Sequence, residues 1–268
     1  MKINIKDIIR NTSNLIHWQF RKRSYENEFQ EIYFDALNAL EQDSYFIYKN
    51  FLSKSQIQEL KQTLQGHRKK NRSIEKNSIY FRSRTNVSLD SDFLNILTKN
   101  DFIKKILYYF FQIPTKIERC TYEFKNGLSD KEKNDDKGEH CFHIDRGYGV
   151  LKFCLFLEDI NEKNGPFCII PGSHKWSKSF KSTFHRFFST FYKTTKHLSD
   201  EETQKYIDIN LQKTLTGKAG DLLVVNTGAF HKGTSLGKNT IREVCWLYIN
   251  YPNFLSMIKN KLYFKNKK

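Results

Sequence analysis

A series of strand-like segments fills the chain from Ile117 onward, and this series constrains the fold more than any other feature. The segments are short, rich in apolar, β-branched and aromatic residues, and separated by charged or Gly-containing turns. Such runs are typical of β-strands. The predicted strands lie at residues 117–124, 150–157, 167–170, 222–225 and 241–251.

The first third of the chain shows mainly helical patterns. The predicted elements there are a helix at 26–41, a strand at 45–48, a helix at 53–64, a basic loop at 67–78, a strand at 79–82 and one or two helices within 90–111. The second helix begins with a capping box, because Ser53 is followed three residues later by Gln56. Helices followed by strands predict a mainly β protein with helices (α+β), in which an antiparallel barrel or jelly roll has helical support.

The length of the chain fits a single domain spanning residues 1–268. Residues 1–44 are predicted to form an N-terminal helical extension. Residues 175–215 interrupt the strands with aromatic and basic helical sequence, including a second capping box at Ser199. We interpret this segment as a helical insertion, and residues 253–268 as a basic C-terminal helix.

The sequence His143-Ile144-Asp145 places an imidazole and a carboxylate two residues apart. In a strand, both side chains point to the same face. They supply two of the three ligands in the 2-His-1-carboxylate triad that holds non-haem Fe(II). His-x-Asp alone is common, but His231 follows the apolar run 222–225, and Arg242 comes eleven residues after His231. A third ligand and a guanidinium for a dicarboxylate are what an Fe(II)/2-oxoglutarate oxygenase requires.

Other polar residues near these strands have simpler interpretations. His174 ends the turn Pro-Gly-Ser-His and is expected to be a structural hydrogen-bonding residue rather than a metal ligand. Asp221 follows Gly220 immediately before a strand, a pattern typical of turns. His197 lies in a basic helical context and is expected to be a solvated surface residue.

Composition indicates a reducing compartment. Five cysteines without a CxxC spacing indicate free thiols. The N-terminal residues lack the apolar stretch of a signal peptide, and no apolar run is long enough to span a membrane. We therefore expect a cytoplasmic protein.

The net charge of +16 is concentrated in four segments. Residues 1–23 and 257–268, here called the basic ends, each contribute +5, and residues 66–84 and 175–197 each contribute +6. A lysine-rich overall composition explains this pattern as well as an anionic partner does. If the charge serves an anionic partner, the basic ends are predicted to contact the anionic inner face of a membrane peripherally.

Two long segments together resemble the phytanoyl-CoA dioxygenase family of Fe(II)/2-oxoglutarate oxygenases. They are FHIDRGYGVLKFCLFLEDINEKNGPFCIIPGSHK and GKAGDLLVVNTGAFHKGTSLGKNTIREVCWLYINY. The resemblance covers about residues 117–251. It is specific because it combines His-x-Asp, Asn-Gly-Pro, Pro-Gly-Ser-His, a distal His and an Arg.

The resemblance implies a double-stranded β-helix (jelly-roll or cupin-like) core. It also implies that iron is held by His143, Asp145 and His231, and that Arg242 pairs with the far carboxylate of 2-oxoglutarate. Thr234 occupies the position of a hydroxyl that helps this carboxylate. Lys152 is a cation within an apolar strand, where an unpaired charge is costly, so an anionic ligand such as the co-substrate is expected beside it.

The implied reaction consumes 2-oxoglutarate and O2 and hydroxylates an unactivated C–H bond. Related halogenases lack the carboxylate ligand, so Asp145 favours hydroxylation. The branch that dealkylates DNA has a second Arg six residues after the first, whereas EVCWLY follows Arg242, and the basic segments lack a recognisable nucleic-acid module. Nucleic acid is therefore not expected as a partner.

The substrate is not identified by the sequence, although an anionic or lipid- or sugar-linked small molecule fits the basic segments. The family places loops such as 175–215 over the active-site mouth. The candidate substrate contacts are Arg82, Arg84, Lys181 and Arg186. The alternative is a non-catalytic barrel that binds a polyanion or a membrane surface.

Overall fold

The computed structural model describes residues 31–67, 72–76, 80–87, 92–111, 115–129, 140–145, 151–175 and 197–249. The helices are α1 (Glu31–Gln42), α2 (Lys54–His67), α3 (Asp92–Thr98), α4 (Asp101–Phe111) and α5 (Asp200–Gln204), with a 3-10 turn at Ile209–Leu211. The strands are β1 (Tyr45–Tyr48), β2 (Arg72–Lys76), β3 (Tyr80–Val87), β4 (Ile117–Gly127), β5 (Leu151–Phe156), β6 (Phe167–Ile169), β7 (Lys213–Leu215), β8 (Leu222–Asn226), β9 (His231–Gly233) and β10 (Ile241–Ile249). Of these helices, none has the length and apolar character of a membrane-spanning segment.

The strands form two antiparallel sheets. The major sheet has the order β1-β8-β5-β10-β4-β3-β2, and the minor sheet has the order β7-β6-β9. An apolar layer lies between them, in which Val225 and Val244 of the major sheet share a cluster with Ile169 and Leu215 of the minor sheet. Two facing sheets with long crossovers are the arrangement of a jelly roll.

The other face of the major sheet packs on the N-terminal helices. Leu37 of α1 and Phe110 of α4 join Leu155 and Leu247 of the sheet in one fully buried cluster. β10 therefore alternates between two environments: Cys245 and Leu247 face the helices, whereas Val244 and Trp246 face the minor sheet. The interior between the sheets thus receives every second residue of the central strands.

The predicted mainly β fold with a jelly-roll core and supporting helices is confirmed. The capping box of α2 is present, since Gln56 N donates to Ser53 Oγ (3.3 Å) and Ser53 N donates to Gln56 Oε1 (2.9 Å). The capping box of α5 is present as well, between Ser199 and Glu202.

Two segments differ from the prediction. The predicted basic loop at 67–78 contains β2, because pairing with β3 stabilises a polar sequence as an edge strand. Residues 213–215, assigned above to the insertion, form β7 and pair with β6 in the minor sheet. The basic ends, residues 176–196 of the insertion and the C-terminal helix lie outside the described residues.

Candidate metal centre

Three side chains of the predicted triad come together at the edge of the minor sheet. His231 begins β9, and backbone hydrogen bonds of 2.9 and 3.0 Å in both directions pair it with His143. Asp145 is held two residues further on, where its N–H donates to the Thr227 carbonyl (3.0 Å). The ligand atoms of the three side chains lie within 4.8 Å of one another.

Both imidazole rings are oriented by their own backbone. His143 Nδ1 lies 2.9 Å from the Cys141 carbonyl, and His231 Nδ1 lies 2.9 Å from the Ala229 carbonyl. A carbonyl only accepts, so in both rings Nδ1 carries the proton. This tautomer leaves both Nε2 lone pairs available for a metal ion.

The protonation states suit metal binding at neutral pH. Burial lowers the pKa of His231 to about 3, and the neighbouring His143 acts in the same direction. Burial also lowers the pKa of His143. Burial acts to raise the pKa of Asp145, but Lys152 and His231 outweigh it, and the net pKa falls below the usual range. The site therefore offers two neutral imidazoles and one carboxylate.

This donor set fits Fe(II). Asp145 Oδ2 is buried and accepts no hydrogen bond of normal geometry, although Lys152 Nζ forms an ion pair with it at 2.5 Å. Such a carboxylate oxygen, 3.8 Å from His231 Nε2, is poised for a cation between them. Two imidazole nitrogens and one carboxylate are the facial triad of non-haem iron enzymes.

Arg242 lies inside the barrel on β10 and is 8% exposed. Its guanidinium donates to the Glu123 carboxylate (Nη2 to Oε1, 2.6 Å) and to the Gly165 carbonyl. Its third nitrogen, Nε, is buried without a hydrogen-bond partner in the part of the chain that the structure describes. An unsatisfied buried donor is costly, so this N–H is suited to a bound carboxylate.

The Asn-Gly-Pro turn is the structural support of Arg242. Gly165 has φ of +71°, a conformation that favours glycine. Asn164 is buried and donates to the backbone carbonyls of Asp159 (2.6 Å) and Ile241 (3.2 Å), which fixes the turn against the start of β10. The Thr234 hydroxyl donates to the Pro166 carbonyl (2.8 Å), so its proton is used within the same turn.

Glu123 is the hub of a buried charged cluster. It is 1% exposed, and it accepts from Arg82 Nε (2.8 Å) and Arg84 Nε (2.6 Å) as well as from Arg242. Register places Arg82, Lys125 and Arg242 side by side on β3, β4 and β10. Burial acts to raise the pKa of Glu123, but the charges of Lys125, Arg242 and Arg84 lower it to about 2. One carboxylate therefore compensates several cations.

The other predicted site residues fall in different places. Lys152 lies beside the metal-site carboxylate, Arg82 is buried in the Glu123 cluster, and the Arg84 side chain is 43% exposed. Lys181 and Arg186 lie outside the described residues.

Sequence reasoning missed Glu123, Lys125 and the packing of His197. The exposed His197 ring lies 4.8 Å from that of His143, between ring centroids. The signal available in the sequence was the alternation of apolar and charged residues in β4, which places Glu123 and Lys125 on one face of the strand.

The structural roles predicted for two residues agree with the structure. His174 Nδ1 lies 2.6 Å from Ser44 Oγ, and Ser44 Oγ also accepts from the Gly172 N–H at 3.1 Å. This contact joins the Pro-Gly-Ser-His turn to the entrance of β1. Asp221 accepts from the backbone N–H groups of Asn50 and Lys218, both at 2.9 Å, and so holds a turn.

Comparisons with known proteins give a matching family model and solved structures of similar fold. The family model for phytanoyl-CoA dioxygenase (PhyH) matches residues 40–240. No curated protein sequence matches the chain significantly.

Solved structures share the fold at low sequence identity. EctD from S. alaskensis with bound Fe has a TM-score of 0.59 and 16% identity, with 87% of this chain and 81% of that chain covered. The epimerase SnoN in complex with Fe3+, alpha ketoglutarate and nogalamycin RO has a TM-score of 0.55 and 13% identity, with 81% and 83% covered. HygX from Streptomyces hygroscopicus with nickel, 2-oxoglutarate and hygromycin B bound has a TM-score of 0.51 and 12% identity, with 81% and 86% covered.

Proposed function

Because the chain belongs to the phytanoyl-CoA dioxygenase family, whose enzymes use non-haem iron, 2-oxoglutarate and O2, we propose that it hydroxylates an unactivated C–H bond of a small-molecule substrate. One observation carries the proposal. Two imidazoles with fixed tautomers and one carboxylate converge within 4.8 Å, although His143 and His231 are far apart in the sequence.

The bound iron supplies the activation of O2, with the balance substrate C–H plus O2 plus 2-oxoglutarate giving substrate C–OH, succinate and CO2. His143 and His231 would hold the metal through Nε2, and Asp145 would hold it through its carboxylate. Lys152 lies against the same carboxylate and restrains its orientation. Residues that contact a metal ligand without binding the metal commonly position that ligand in this way.

Arg242 binds the far carboxylate of 2-oxoglutarate through its unpaired Nε–H. Glu123 and the Gly165 carbonyl hold the other guanidinium nitrogens, which fixes the direction of Nε before the co-substrate arrives. The hydroxyl of Thr234 acts indirectly, because it braces the same turn at Pro166. Preorganised donors of this kind favour binding because little side-chain freedom is lost.

Aromatic side chains keep water from the metal site. Phe167 stacks on His231 with ring centroids 5.0 Å apart, and Trp246 lies 6.0 Å from Phe167. Both belong to the apolar layer between the sheets. Exclusion of water protects the reacting centre from side reactions.

The alternative, a non-catalytic barrel that binds a polyanion, has no support in the comparisons. SnoN is an epimerase, so the shared fold also hosts other outcomes. The complete triad, which includes Asp145, disfavours halogenation, because related halogenases lack the carboxylate ligand. Release of succinate with isotopically labelled O2 and transfer of the label to the product distinguish hydroxylation from these outcomes.

Iron binding tests the site directly. Anaerobic protein with Fe(II) and 2-oxoglutarate is expected to show a weak metal-to-ligand charge-transfer band in the visible, which His231→Ala abolishes. His197→Ala is the matched control, because this ring lies beside His143 without belonging to the triad, and it is expected to keep the band. A His231→Ala protein that binds iron with unchanged stoichiometry contradicts the assignment, and a product without labelled oxygen contradicts hydroxylation.

A further inference from the structure

Two cations from neighbouring strands flank Tyr248 on the inner face of the major sheet, and a third lies on β3. Tyr248 of β10 pairs in register with Arg119 of β4 on one side and with Lys152 of β5 on the other. The Arg119 guanidinium lies 4.2 Å from the ring centroid of Tyr248, and Lys152 Nζ lies 5.2 Å from it. The aromatic ring is thus flanked by two positive charges.

Arg84 is the third cation. It faces the same interior from β3, its Nε donates to Glu123, and its side chain is 43% exposed. Burial raises the pKa of Tyr248 above its usual value, while the charges of Lys152, Arg84 and Arg119 act in the opposite direction. All three cations therefore act on the same ring. Because the effect of burial is larger, Tyr248 keeps its phenolic proton at neutral pH.

The cluster adjoins the metal site and opens to solvent. Lys152 Nζ lies 2.5 Å from Asp145 Oδ2, so one cation touches a residue of the triad. At the other side, Arg119 is exposed. Such a position, between the metal and the solvent, is where a substrate enters.

The carboxylates near this cluster are shared, and Arg119 contributes its surplus charge. Arg84 shares Glu123 with Arg82 and Arg242, and Lys152 shares Asp145 with the metal. Within the described ranges, Arg119 has no carboxylate at ion-pair distance, and its guanidinium lies over the ring of Tyr248. The cluster therefore remains electropositive.

The co-substrate does not account for this surplus. Arg242 precedes Tyr248 by six residues on the same strand, and such a separation is about 20 Å along an extended strand. The cluster therefore lies too far from Arg242 to share the carboxylate that Arg242 binds, and it is available to a second anion.

We propose that Arg84, Arg119 and Lys152 bind a phosphate group of the substrate, with the Tyr248 hydroxyl as a further donor. This inference rests on the proposed function, because it identifies the substrate class of the same site. Two guanidinium groups and an ammonium offer more donors than one carboxylate can accept, whereas the oxygens of a phosphate dianion match them. The phosphate holds the substrate so that its C–H bonds face the metal.

Phosphorus NMR of inorganic phosphate provides the test. The protein is loaded with Mn(II) and saturated with 2-oxoglutarate, and the Zn(II)-loaded protein serves as the diamagnetic control. We expect saturable broadening of the phosphate signal that requires Mn(II). Arg119→Gln is expected to weaken this binding by about tenfold, the loss of one charge-assisted hydrogen bond. Lys104→Gln removes an equal charge from the exposed face of α4 and is expected to leave it unchanged.

Three results overturn the proposal. The first is the absence of broadening that depends on Mn(II). The second is broadening that persists in an Arg84→Gln/Arg119→Gln protein, which indicates phosphate coordinated directly to the metal. The third is equal weakening by Lys104→Gln, which indicates an adventitious ion only. The charge-transfer band is measured on a portion of each protein loaded with Fe(II) in place of Mn(II): its presence without a phosphate site overturns only this inference, and its absence overturns the proposed function.

Discussion

Replacement of Glu123 by Gln tests whether one buried carboxylate stabilises the cationic interior. The side chain is 1% exposed and accepts hydrogen bonds from Arg82, Arg84 and Arg242. Its pKa falls from an ordinary value of 4.5 to about 2 in the folded protein. A fall of this size corresponds to about 3 kcal/mol at neutral pH. This agrees with the roughly 3–5 kcal/mol measured when one partner of a buried ion pair is removed.

We therefore expect Glu123→Gln to lower the free energy of unfolding by about 3 kcal/mol at pH 7, measured by urea denaturation. Because the folded-state pKa is depressed, the stabilisation is complete above about pH 4.5 and is lost as the pH falls toward 2. The difference between the two proteins should shrink over that range. Glu158→Gln is the matched control: its side chain is 42% exposed and paired with Lys61, and its loss should cost no more than about 1 kcal/mol.

A double variant strengthens the test. Arg82→Gln removes one of the cations that Glu123→Gln leaves uncompensated. The two changes together should therefore cost less than the sum of the separate changes. Strict additivity, or a loss in Glu123→Gln that does not vary with pH, would refute the reasoning.

Further predictions concern the supports of the site and the ends of the chain. Gly165→Ala forces a side chain onto a residue with φ of +71°, which should lower the free energy of unfolding by about 1–2 kcal/mol. Because the carbonyl that holds Arg242 moves, the charge-transfer band should need a higher 2-oxoglutarate concentration. An unchanged 2-oxoglutarate titration contradicts this. Ser44→Ala removes the 2.6 Å contact between Ser44 Oγ and buried His174 and should lower the free energy of unfolding by about 1–3 kcal/mol, whereas a loss below measurement error argues against this contact. For the basic ends, which lie outside the described residues, we propose binding to anionic but not neutral vesicles, weakened by about 0.5 M salt. Failure to co-sediment with either kind of vesicle at low salt removes the peripheral-membrane proposal.

The grouping of His143, Asp145 and His231 was predictable because local patterns mark each residue. His-x-Asp places two ligands at a recognisable spacing, although His143 forms an isolated bridge to His231 rather than part of a strand, and His231 follows an apolar run. The helices of the first third were predictable for a similar reason, since capping boxes and amphipathic spacing are local properties. Strand β2 was missed because its polar sequence is stabilised by pairing with β3, which no local pattern records.

The sequence by itself determined which residues share a face of each strand. In β4, for example, Tyr122 and Phe124 alternate with Glu123 and Lys125. An alternation of this kind ordinarily places the polar face in water. Only the tertiary structure decided that this face points into the barrel, because closure of two sheets depends on long-range pairing. The same closure brings Glu123 to Arg242, 119 residues later in the chain, and sets the charge of the interior.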